Sequence, residues 1–427
     1  MSRLAIAGAA LLTLAWSAPL DPVWLQSFDA AWRIIDETYY DPAFNGVDWP
    51  AVRRDLRPRA EAASTPDEVR SAIREMIGRL GDSHFVLIPN GQTPAATRAA
   101  RATSGDPGID VRYHERTALI VGVADDGPAK EAGVRPGWLI HAVDGEPVEP
   151  ALSQAAAAAG PRLGSLEAWR LLTEKLRGPI GSRAHLSLVD GHGSRREIRV
   201  ERRAEEGEPV KLGTFPTLHV RTAERSMQAA SGGKVGYLRF SVWLTPVDPF
   251  IARAVDAHRG ADGIVIDLRG NPGGLAAMLM GVAGHFVPDR VSLGEMRTRE
   301  GALRFYANPR KVAPDGRPVT PFAGRVAILV DALTGSASEC FAGGMQSIGR
   351  ARVFGERTMG QALPALFDRL PSGDVLVHAY ADFVTASNTR LEGRGVEPDV
   401  GAPWSRGALI EGRDSALDLA VEWAGQR

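Results

Sequence analysis

The chain has 427 residues, which is too long for one small domain and predicts two or three. Its 44% hydrophobic and 24% charged residues are average for a soluble globular protein, which argues against fibrous, disordered and multi-span membrane classes. Fifty Lys and Arg balance fifty-one Asp and Glu, so no basic field favours nucleic acid or a membrane surface. Cys340 is the single cysteine, which excludes an intrachain disulfide and a cysteine-based zinc cluster.

An apolar run opens the chain. Arg3 precedes the stretch from Leu4 to Trp16, and about thirteen apolar residues are too few to span a bilayer, which needs roughly twenty. Ala15 and Ser17 are the small residues expected at a cleavage site after Ser17. The pattern predicts a signal peptide over 1–17 and an exported protein, periplasmic or secreted. An uncleaved anchor or a buried N-terminal helix is the alternative.

Residues 18–92 predict a helical domain. Large apolar side chains from Trp24 to Tyr39 recur at spacings of three and four, as on one face of an amphipathic helix. Thr65 predicts the N-cap of a further helix, because Pro66 suits the first helical position and Glu68 completes a capping box.

A polar linker over 93–107 leads into a region of short alternating strands. From 118 onward a strand, a short helix, a glycine stop, a Pro-Gly turn and an Asp-Gly hairpin turn follow one another. This order resembles a PDZ domain over 106–203, with an alanine-rich insertion at 151–160 that continues as a helix to Leu176. The resemblance implies capture of an extended peptide at a sheet edge. A domain that serves only as a spacer is the alternative.

From 207 to 427 apolar strands alternate with helices. Val235–Phe240, Gly263–Leu268 and Val326–Val330 are dense in Val, Ile and Leu, as expected for strands buried on both faces. Segments 252–259, 276–286 and 338–348 predict the covering helices. The pattern indicates an α/β layer architecture.

Two local features in the chain are typical of catalytic groups. His84 directly follows Ser83 at a helix end, an element boundary where functional side chains are common. Ser336 lies between a buried strand and a helix, where the helix N-terminus favours negative charge on the serine and on a nearby oxyanion. A structural histidine and a simple N-cap serine are the alternatives.

A third feature is the glycine turn after the strand that ends at Asp267. Bare backbone N–H groups in such a turn can face an anion or a developing oxyanion. A nucleotide-binding loop is excluded, since no Gly-Lys-Ser/Thr follows and the glycine spacing differs. A tight strand-to-helix turn without function is the alternative.

Together these motifs resemble the C-terminal-processing and tricorn-core family of serine peptidases. The most specific segments are 267–274, 335–339, 355–360 and 392–399. The resemblance implies an α/β fold with a crotonase/ClpP-like core, an inserted-type PDZ β-domain and an N-terminal helical domain. It implies Ser336 as the nucleophile, and an oxyanion hole formed by the N–H of Ala337 with that of Gly273 or Gly274.

One departure from the family pattern selects a branch. The processing peptidases use a lysine base twenty-five residues after the serine, and Gln361 occupies that position here. Arginine cannot replace that lysine, because its guanidinium stays protonated. The tricorn-like branch takes its base from a Ser-His pair, which Ser83 and His84 match, and the resemblance then implies Glu392 as the acidic member. Glu339 and Asp399 are the alternative acids.

The resemblance therefore implies an exported serine endopeptidase that hydrolyses unstructured polypeptides or C-terminal tails bound as extended strands. With His84 as the general base, activity is expected to fall near the reference histidine pKa of about 6.5. No cofactor, no metal site and no nucleic-acid partner are expected, and a homo-oligomer is left open. The alternative is a catalytically silent binding protein on the same fold.

Overall fold

The computed structural model describes residues 20–90, 104–211, 217–313 and 315–426. The predicted signal peptide, 1–17, lies outside these residues, and so do positions 93–103 of the predicted linker. Among the helices in the described ranges, none combines the length and the hydropathy needed to cross a membrane.

The N-terminal region is helical, as predicted. It contains α1 (Val23–Thr38), α2 (Trp49–Glu61), α3 (Pro66–Gly78) and a short strand, β1 (Val86–Ile88). Thr65 caps α3, since its hydroxyl accepts the Glu68 amide at 3.3 Å, which confirms the predicted start of that helix. The three helices enclose an apolar core that includes Phe28, Trp49 and Met76, and Leu376 from the C-terminal region joins it.

The second region is built on an antiparallel sheet. Its elements are β2 (Ser104–Gly105), β3 (Ile109–His114), β4 (Thr117–Val123), α4 (Pro128–Glu131), β5 (Leu139–Val143), β6 (Glu146–Pro147), α5 (Glu149–Leu176), β7 (Gly178–Pro179), β8 (Arg183–Val189) and β9 (Arg195–Glu201). The main sheet has the order β3-β4-β5-β8-β9, with β6 beside β5, and β2 pairs with β7. β3 is therefore an edge strand. α5, the predicted alanine-rich insertion, is interrupted at Gly160, where φ is 75° and ψ is 176°.

The third region has the predicted α/β organisation. Its strands are β10 (Glu208–Val210), β11 (Leu218–Val220), β12 (Thr222–Gln228), β13 (Lys234–Phe240), β14 (Gly263–Asp267), β15 (Val291–Arg297), β16 (Ala302–Ala307), β17 (Arg325–Val330), β18 (Arg352–Gly355), β19 (Ala365–Arg369), β20 (Val375–Ala379), β21 (Asp382–Thr385) and β22 (Val400–Gly401). Its helices are α6 (Val247–Ala257), α7 (Met278–Ala283), α8 (Ala337–Ser347), α9 (Arg406–Ile410) and α10 (Ser415–Ala424).

The central sheet of this region has six strands in the order β12-β13-β14-β17-β18-β22. β12 is antiparallel to β13, and the remaining neighbours are parallel. Three smaller sheets that contain strands of this region lie outside it in the described residues: β1-β20-β19, β16-β15-β21 and the two-stranded β10-β11. β1 thus joins the N-terminal helical region to the α/β region through a shared sheet.

Two helix boundaries differ from the sequence prediction. α6 begins at Val247 rather than at 252, because a proline in the first turn is compatible with a helix and Pro249 does not delay its start. α7 covers only Met278–Ala283 instead of 276–286, and Gly284 is its C-cap. Neither difference moves the strand ends at which the predicted site lies.

Adjacent parallel strands bring the glycine turn and the serine loop together. β14 and β17 are neighbours, so their carboxyl ends lie at one edge of the sheet. Asp331, the first residue after β17, joins the two loops, because its Oδ1 accepts the amides of Gly270 at 2.8 Å and Leu333 at 3.1 Å. Its Oδ2 accepts Arg112 Nε of β3 at 2.7 Å, which anchors the second region on the same loops.

Candidate active site

Ser336 occupies a strained position at the start of α8. Its φ is 52° and its ψ is -121°, a backbone conformation that L-residues rarely adopt. Such strain at a strand-to-helix turn is typical of an exposed nucleophile. Ser336 is only half-buried, although Gly335, Ala337 and Ser338 on either side are buried. The backbone therefore presents this hydroxyl rather than that of Ser338.

Glu339 holds the Ser336 backbone in place. Its Oε2 accepts the amides of Ser336 at 3.1 Å and of Gln361 at 2.9 Å. Its Oε1 accepts the Gly360 amide at 2.7 Å and the Thr358 hydroxyl. Burial raises the pKa of Glu339 to about 7, against the effect of these four donors. Glu339 thus serves the loop geometry, and it is not the acid that contacts Ser83 or His84.

The glycine turn lies directly against Ser336. A Cβ atom on Gly273 would come within 2.6 Å of Ser336 Cβ and 2.9 Å of Ala337 N, so only glycine fits here. The Gly273 amide donates to Asn271 Oδ1 at 3.0 Å. The amides of Gly274 and Ala337 have no hydrogen-bond partner among the residues that the structure describes. Free N–H groups beside the serine are what an oxyanion requires.

Ser83, His84 and Glu392 form a hydrogen-bonded chain. Ser83 Oγ is 2.7 Å from His84 Nδ1 and donates to Glu392 Oε2 at 2.9 Å. The Ser83 amide donates to Glu392 Oε1 at 3.0 Å, and the Ala362 amide donates to Oε2 at 2.9 Å. Burial raises the pKa of Glu392, and these donors oppose that rise.

This chain of hydrogen bonds determines the tautomer of His84. The Ser83 hydroxyl has one proton and gives it to the Glu392 carboxylate, so its oxygen must accept a proton from His84 Nδ1. Nε2 of a neutral His84 is then the unprotonated nitrogen, the form a general base needs. Burial lowers the pKa of His84 to about 4, well under the 6.5 expected from the sequence, because an imidazolium loses its hydration there.

The residues form two groups that meet at segment 360–362. One contains Ser336, Glu339, Gly273 and Ala337, and the other contains Ser83, His84 and Glu392. The Ser336 amide donates to Gln361 O at 2.8 Å, and the amide of Ala362 donates to the Glu392 carboxylate. Within the described ranges no hydrogen bond joins His84 to Ser336. Catalytic hydrogen bonds often tighten only when substrate is bound.

The remaining candidates have other contacts. Asp399 accepts the Val353 amide at 2.8 Å and braces β18, so of the three acids considered only Glu392 contacts the Ser-His pair. Ser338 is fully buried, and its hydroxyl accepts Trp243 Nε1 at 2.8 Å. Gln361 contributes its backbone to the Ser336 loop through both its amide and its carbonyl.

The sequence did not point to Asn271, Asp331 or Arg162. Asn271 and Asp331 belong to the segments that flank the two loops, and their role in bracing backbone amides requires three-dimensional contacts. Arg162 reaches the carbonyl of Gly360 at 2.9 Å from the alanine-rich helix, 198 positions away. No local pattern signals such a contact.

Two segments of the chain match known family models. Residues 234–402 match the family model described as Peptidase family S41, and residues 21–78 match the Tricorn protease C1 domain. This chain is a serine peptidase. The segment that matches the family S41 model includes the glycine turn, Ser336 and Glu392, whereas Ser83 and His84 lie between the two matched segments.

Curated relatives of this serine peptidase belong to two groups. Carboxyl-terminal-processing peptidase 2, chloroplastic, of Arabidopsis thaliana is 26% identical over 390 residues, covering 88% of this chain and 68% of that protein. The carboxyl-terminal-processing protease of a Picosynechococcus strain is 26% identical over 382 residues and covers 87% and 82%. Putative tricorn protease homolog 2 of Streptomyces coelicolor is 28% identical over 417 residues, which cover 95% of this chain but 32% of that protein.

Solved structures share the fold of the peptidase. The photosystem II D1 C-terminal processing protease superposes with a TM-score of 0.61 at 24% identity and covers 94% of this chain and 97% of that one. Mature CPAF complexed with lactacystin gives a TM-score of 0.63 at 15% identity, with 94% and 98% covered. At these identities the likeness concerns the mixed α/β fold.

Proposed function

We propose that this serine peptidase is an endopeptidase in which Ser336 is the nucleophile and His84 is its general base. The observation that carries the proposal is the hydroxyl of Ser83, which contacts His84 Nδ1 at 2.7 Å and Glu392 Oε2 at 2.9 Å. In a catalytic triad, a carboxylate orients the second nitrogen of the histidine base. Here the Glu392 carboxylate would do so through one additional group, the Ser83 hydroxyl.

The reaction follows from these roles. His84 Nε2 removes the Ser336 hydroxyl proton as Oγ attacks the scissile carbonyl carbon. The resulting oxyanion accepts hydrogen bonds from the Ala337 amide and from an amide of the glycine turn, for which the unpartnered Gly274 N–H is the better candidate. The imidazolium then gives its proton to the leaving amine, and water hydrolyses the acyl-enzyme by the same steps in reverse order.

The His84 contact with Ser336 forms in the substrate complex. In the described residues the Ser83–His84–Glu392 group and the Ser336 loop are joined through segment 360–362 and not through the two side chains. The depressed pKa of His84, about 4, keeps the base neutral while it waits for substrate.

Two observations favour a histidine base over a downstream lysine. Gln361 occupies the position of the lysine in the processing-peptidase branch, and the last lysine of the chain is Lys311. The relative with the longest aligned stretch named above is a tricorn homologue. The chain is therefore assigned to the tricorn-like, Ser-His-Glu branch as part of this proposal.

The second region is proposed to be a PDZ domain that binds polypeptide tails. β3 is an edge strand of its sheet, and α5 packs beside it, so an extended peptide can add as a further strand between them. The names of the carboxyl-terminal-processing relatives point to C-terminal tails as the substrate class. The apolar run before Ser17 supports action on exported or envelope polypeptides in the periplasm or outside the cell.

A fluorophosphonate probe tests the proposal directly. Such a probe phosphonylates an activated serine, and peptide mass spectrometry identifies the site. We expect one modified residue, Ser336, with label lost in Ser336→Ala and strongly slowed in His84→Ala. Modification at Ser338 or Ser83 instead, or an unlabelled wild-type protein that still hydrolyses casein, would contradict the assignment.

A further inference from the structure

The second region places one arginine at the edge of the candidate site. α5 is interrupted at Gly160, and Pro161 and Arg162 begin its second half. Arg162 Nη1 donates to the Gly360 carbonyl at 2.9 Å and lies 3.7 Å from Glu392 Oε1. Ser336 and Glu392 belong to the α/β region, and His84 belongs to the N-terminal region. Through Arg162, the second region thus contributes a side chain to the edge of a site that the other two regions form.

Both partners of Arg162 hold the site together. The Gly360 carbonyl also accepts the Gly393 amide at 2.9 Å, while the Gly360 amide donates to Glu339 at 2.7 Å. Segment 360–362 therefore meets the chain around Glu392 at the point where the guanidinium lies. The arginine spans the same two segments that support Ser336 and Ser83.

The positive charge of Arg162 counteracts the effects that disfavour the ionised form of Glu392. The Glu392 side chain is 2% exposed, and burial is the largest cause that raises its pKa. The carboxylate of Asp82 raises it further, and Arg390 lies 3.8 Å from Asp82. On the other face, Ser83 links Glu392 to the neutral ring of His84. A cation beside Oε1 favours the ionised carboxylate, the form that accepts the Ser83 hydroxyl.

The helix that carries Arg162 is packed firmly on the catalytic loops. Leu166 and Trp169 follow Arg162 by four and seven positions and so lie on one helix face with it. They pack with Leu333 and Met359, which belong to the segments on either side of the Ser336 loop. The guanidinium is therefore delivered by a docked element rather than by a free surface side chain.

We propose that Arg162 is a positioning residue, which holds Glu392 as an oriented carboxylate and fixes the Gly360 carbonyl, so that docking of the second region completes the active site. This inference rests on the proposed roles of Ser83, His84 and Glu392. It predicts that the rate of the chemical step, and not the binding of short peptides, depends on a residue outside the segment that matches the family S41 model and outside the N-terminal region.

Three substitutions in the full-length protein separate the contributions of Arg162. Arg162→Lys keeps the cation, Arg162→Gln keeps a donor for Gly360 without charge, and Arg162→Ala removes both. Arg170→Ala is the matched control, because Arg170 lies on the same helix and pairs with Glu167 at 2.7 Å on the surface. For each variant, kcat and KM on a short peptide, the pH profile of kcat/KM and the rate of fluorophosphonate labelling at Ser336 are measured, together with Tm.

We expect Arg162→Ala to lower kcat and the labelling rate on the order of 10-fold or more, as loss of a partner of a catalytic group does elsewhere, with KM little changed. The acid limb of the kcat/KM profile of Arg162→Ala moves to higher pH, because the pKa of Glu392 rises when the neighbouring cation is removed. Arg162→Lys recovers most of the rate, Arg162→Gln less, and Arg170→Ala behaves as wild type.

Wild-type kcat, labelling and pH profile in a folded Arg162→Ala protein would overturn the inference. An effect on KM alone would also overturn it, because it would make Arg162 a substrate contact. The proposed catalytic roles fail by a different result, namely turnover that persists in Ser336→Ala or in His84→Ala. The two failures are therefore distinguishable.

Discussion

Glu392 is bound to Ser83 twice, through the backbone amide at 3.0 Å and through the hydroxyl at 2.9 Å. The carboxylate thus reaches the imidazole only through a serine, which acts as acceptor for one neighbour and donor for the other. Because both contacts with Glu392 use protons of Ser83, the carboxylate must remain an acceptor. The protonation states of three residues are therefore linked, and the predictions below follow from that linkage.

Removal of the proposed nucleophile separates two serines that lie two positions apart. Ser336→Ala abolishes hydrolysis of casein, and its cost in stability is limited to about 1 kcal/mol for the capping box that the half-buried Ser336 side chain forms with Glu339. Ser338→Ala retains activity but lowers the free energy of unfolding by about 1–3 kcal/mol, because Trp243 Nε1 loses its acceptor in a buried site. Casein hydrolysis and urea denaturation measure the two effects. An inactive but stable Ser338→Ala protein would reverse the assignment.

Loss of the imidazole tests the choice of base. His84→Ala lowers kcat on the order of 10³-fold or more, because the members of a triad act as a unit. Adding Gln361→Lys does not restore turnover, because a lysine at residue 361 approaches the serine with a different geometry from the histidine. Near wild-type turnover in His84→Ala would eliminate the tricorn-like interpretation.

The Ser83 hydroxyl is expected to contribute to kcat because its oxygen is the acceptor for His84 Nδ1. Ser83→Ala keeps the hydrogen bond from its backbone amide to Glu392. It removes the acceptor for His84 Nδ1, so the ring loses its fixed tautomer. We expect kcat to fall on the order of 10²-fold, within the range of general-base contributions, while KM stays similar. Ser83→Thr, which keeps a hydroxyl, is the control and retains more activity. Equal kcat values for the alanine and threonine variants would show that the hydroxyl is not used.

The acid limit of activity is not expected to report His84. Its pKa is lowered to about 4 by burial, so the ring is still neutral at pH 5, where an unperturbed histidine is mostly charged. Activity lost above that pH belongs to Glu392 and Glu339, whose pKa values burial raises. Histidine-selective NMR titration of the resting enzyme checks this. A His84 resonance that titrates near 6.5 would restore the value expected from the sequence.

Glu339 is predicted to be a structural clamp that tolerates no amide. Each of its oxygens accepts two donors, so Glu339→Gln turns an NH₂ group toward two N–H or O–H groups. The free energy of unfolding should fall by about 2–4 kcal/mol, as expected when two buried donors lose an acceptor. Gln346→Ala, a surface change on the same helix, should leave it nearly unchanged. A Glu339→Gln protein of full stability would mean that the carboxyl is already protonated.

Deletion of the second region does not isolate its effect on peptide capture. If strand addition at β3 supplied only remote binding energy, removing 108–203 would raise KM for long substrates more than for short ones. The deletion also removes Arg162 and the Arg112–Asp331 ion pair, so kcat falls for substrates of every length. Tyr113→Pro, on the edge strand β3, is the sharper test. We expect it to raise KM for long substrates only, and an equal effect on both lengths would favour a spacer.

Local patterns were sufficient for the parts of the site that lie at element ends. Ser336 and the glycine turn follow buried strands, and the Ser83–His84 pair follows a helix, so the alternation of apolar runs and turns locates them. Glu392 required a family motif, since 309 positions separate it from Ser83. The start of α6 at Val247, five positions before the predicted 252, places Pro249 in the first turn, where a helix tolerates proline.

Contacts between regions could not be predicted in this way. Arg162 lies in an alanine-rich helix with no motif, and Arg112 lies in an ordinary strand, yet both reach the loops around Ser336. Such contacts depend on how separately patterned regions dock, which periodicity does not encode. The lowered pKa of His84 is likewise not predictable from the sequence, since a reference value contains no information on burial.

The 309 positions that separate Ser83 from Glu392 in the sequence have a consequence during synthesis of the chain. On a ribosome, the residue that orients the proposed base is made early and its carboxylate partner emerges only after about nine-tenths of the chain. The sheet that joins β1 to β20 likewise cannot form until then. A partly synthesised chain therefore has no assembled proton relay. Under the proposed roles, hydrolysis can therefore begin only after Glu392 has been synthesised and has folded against Ser83.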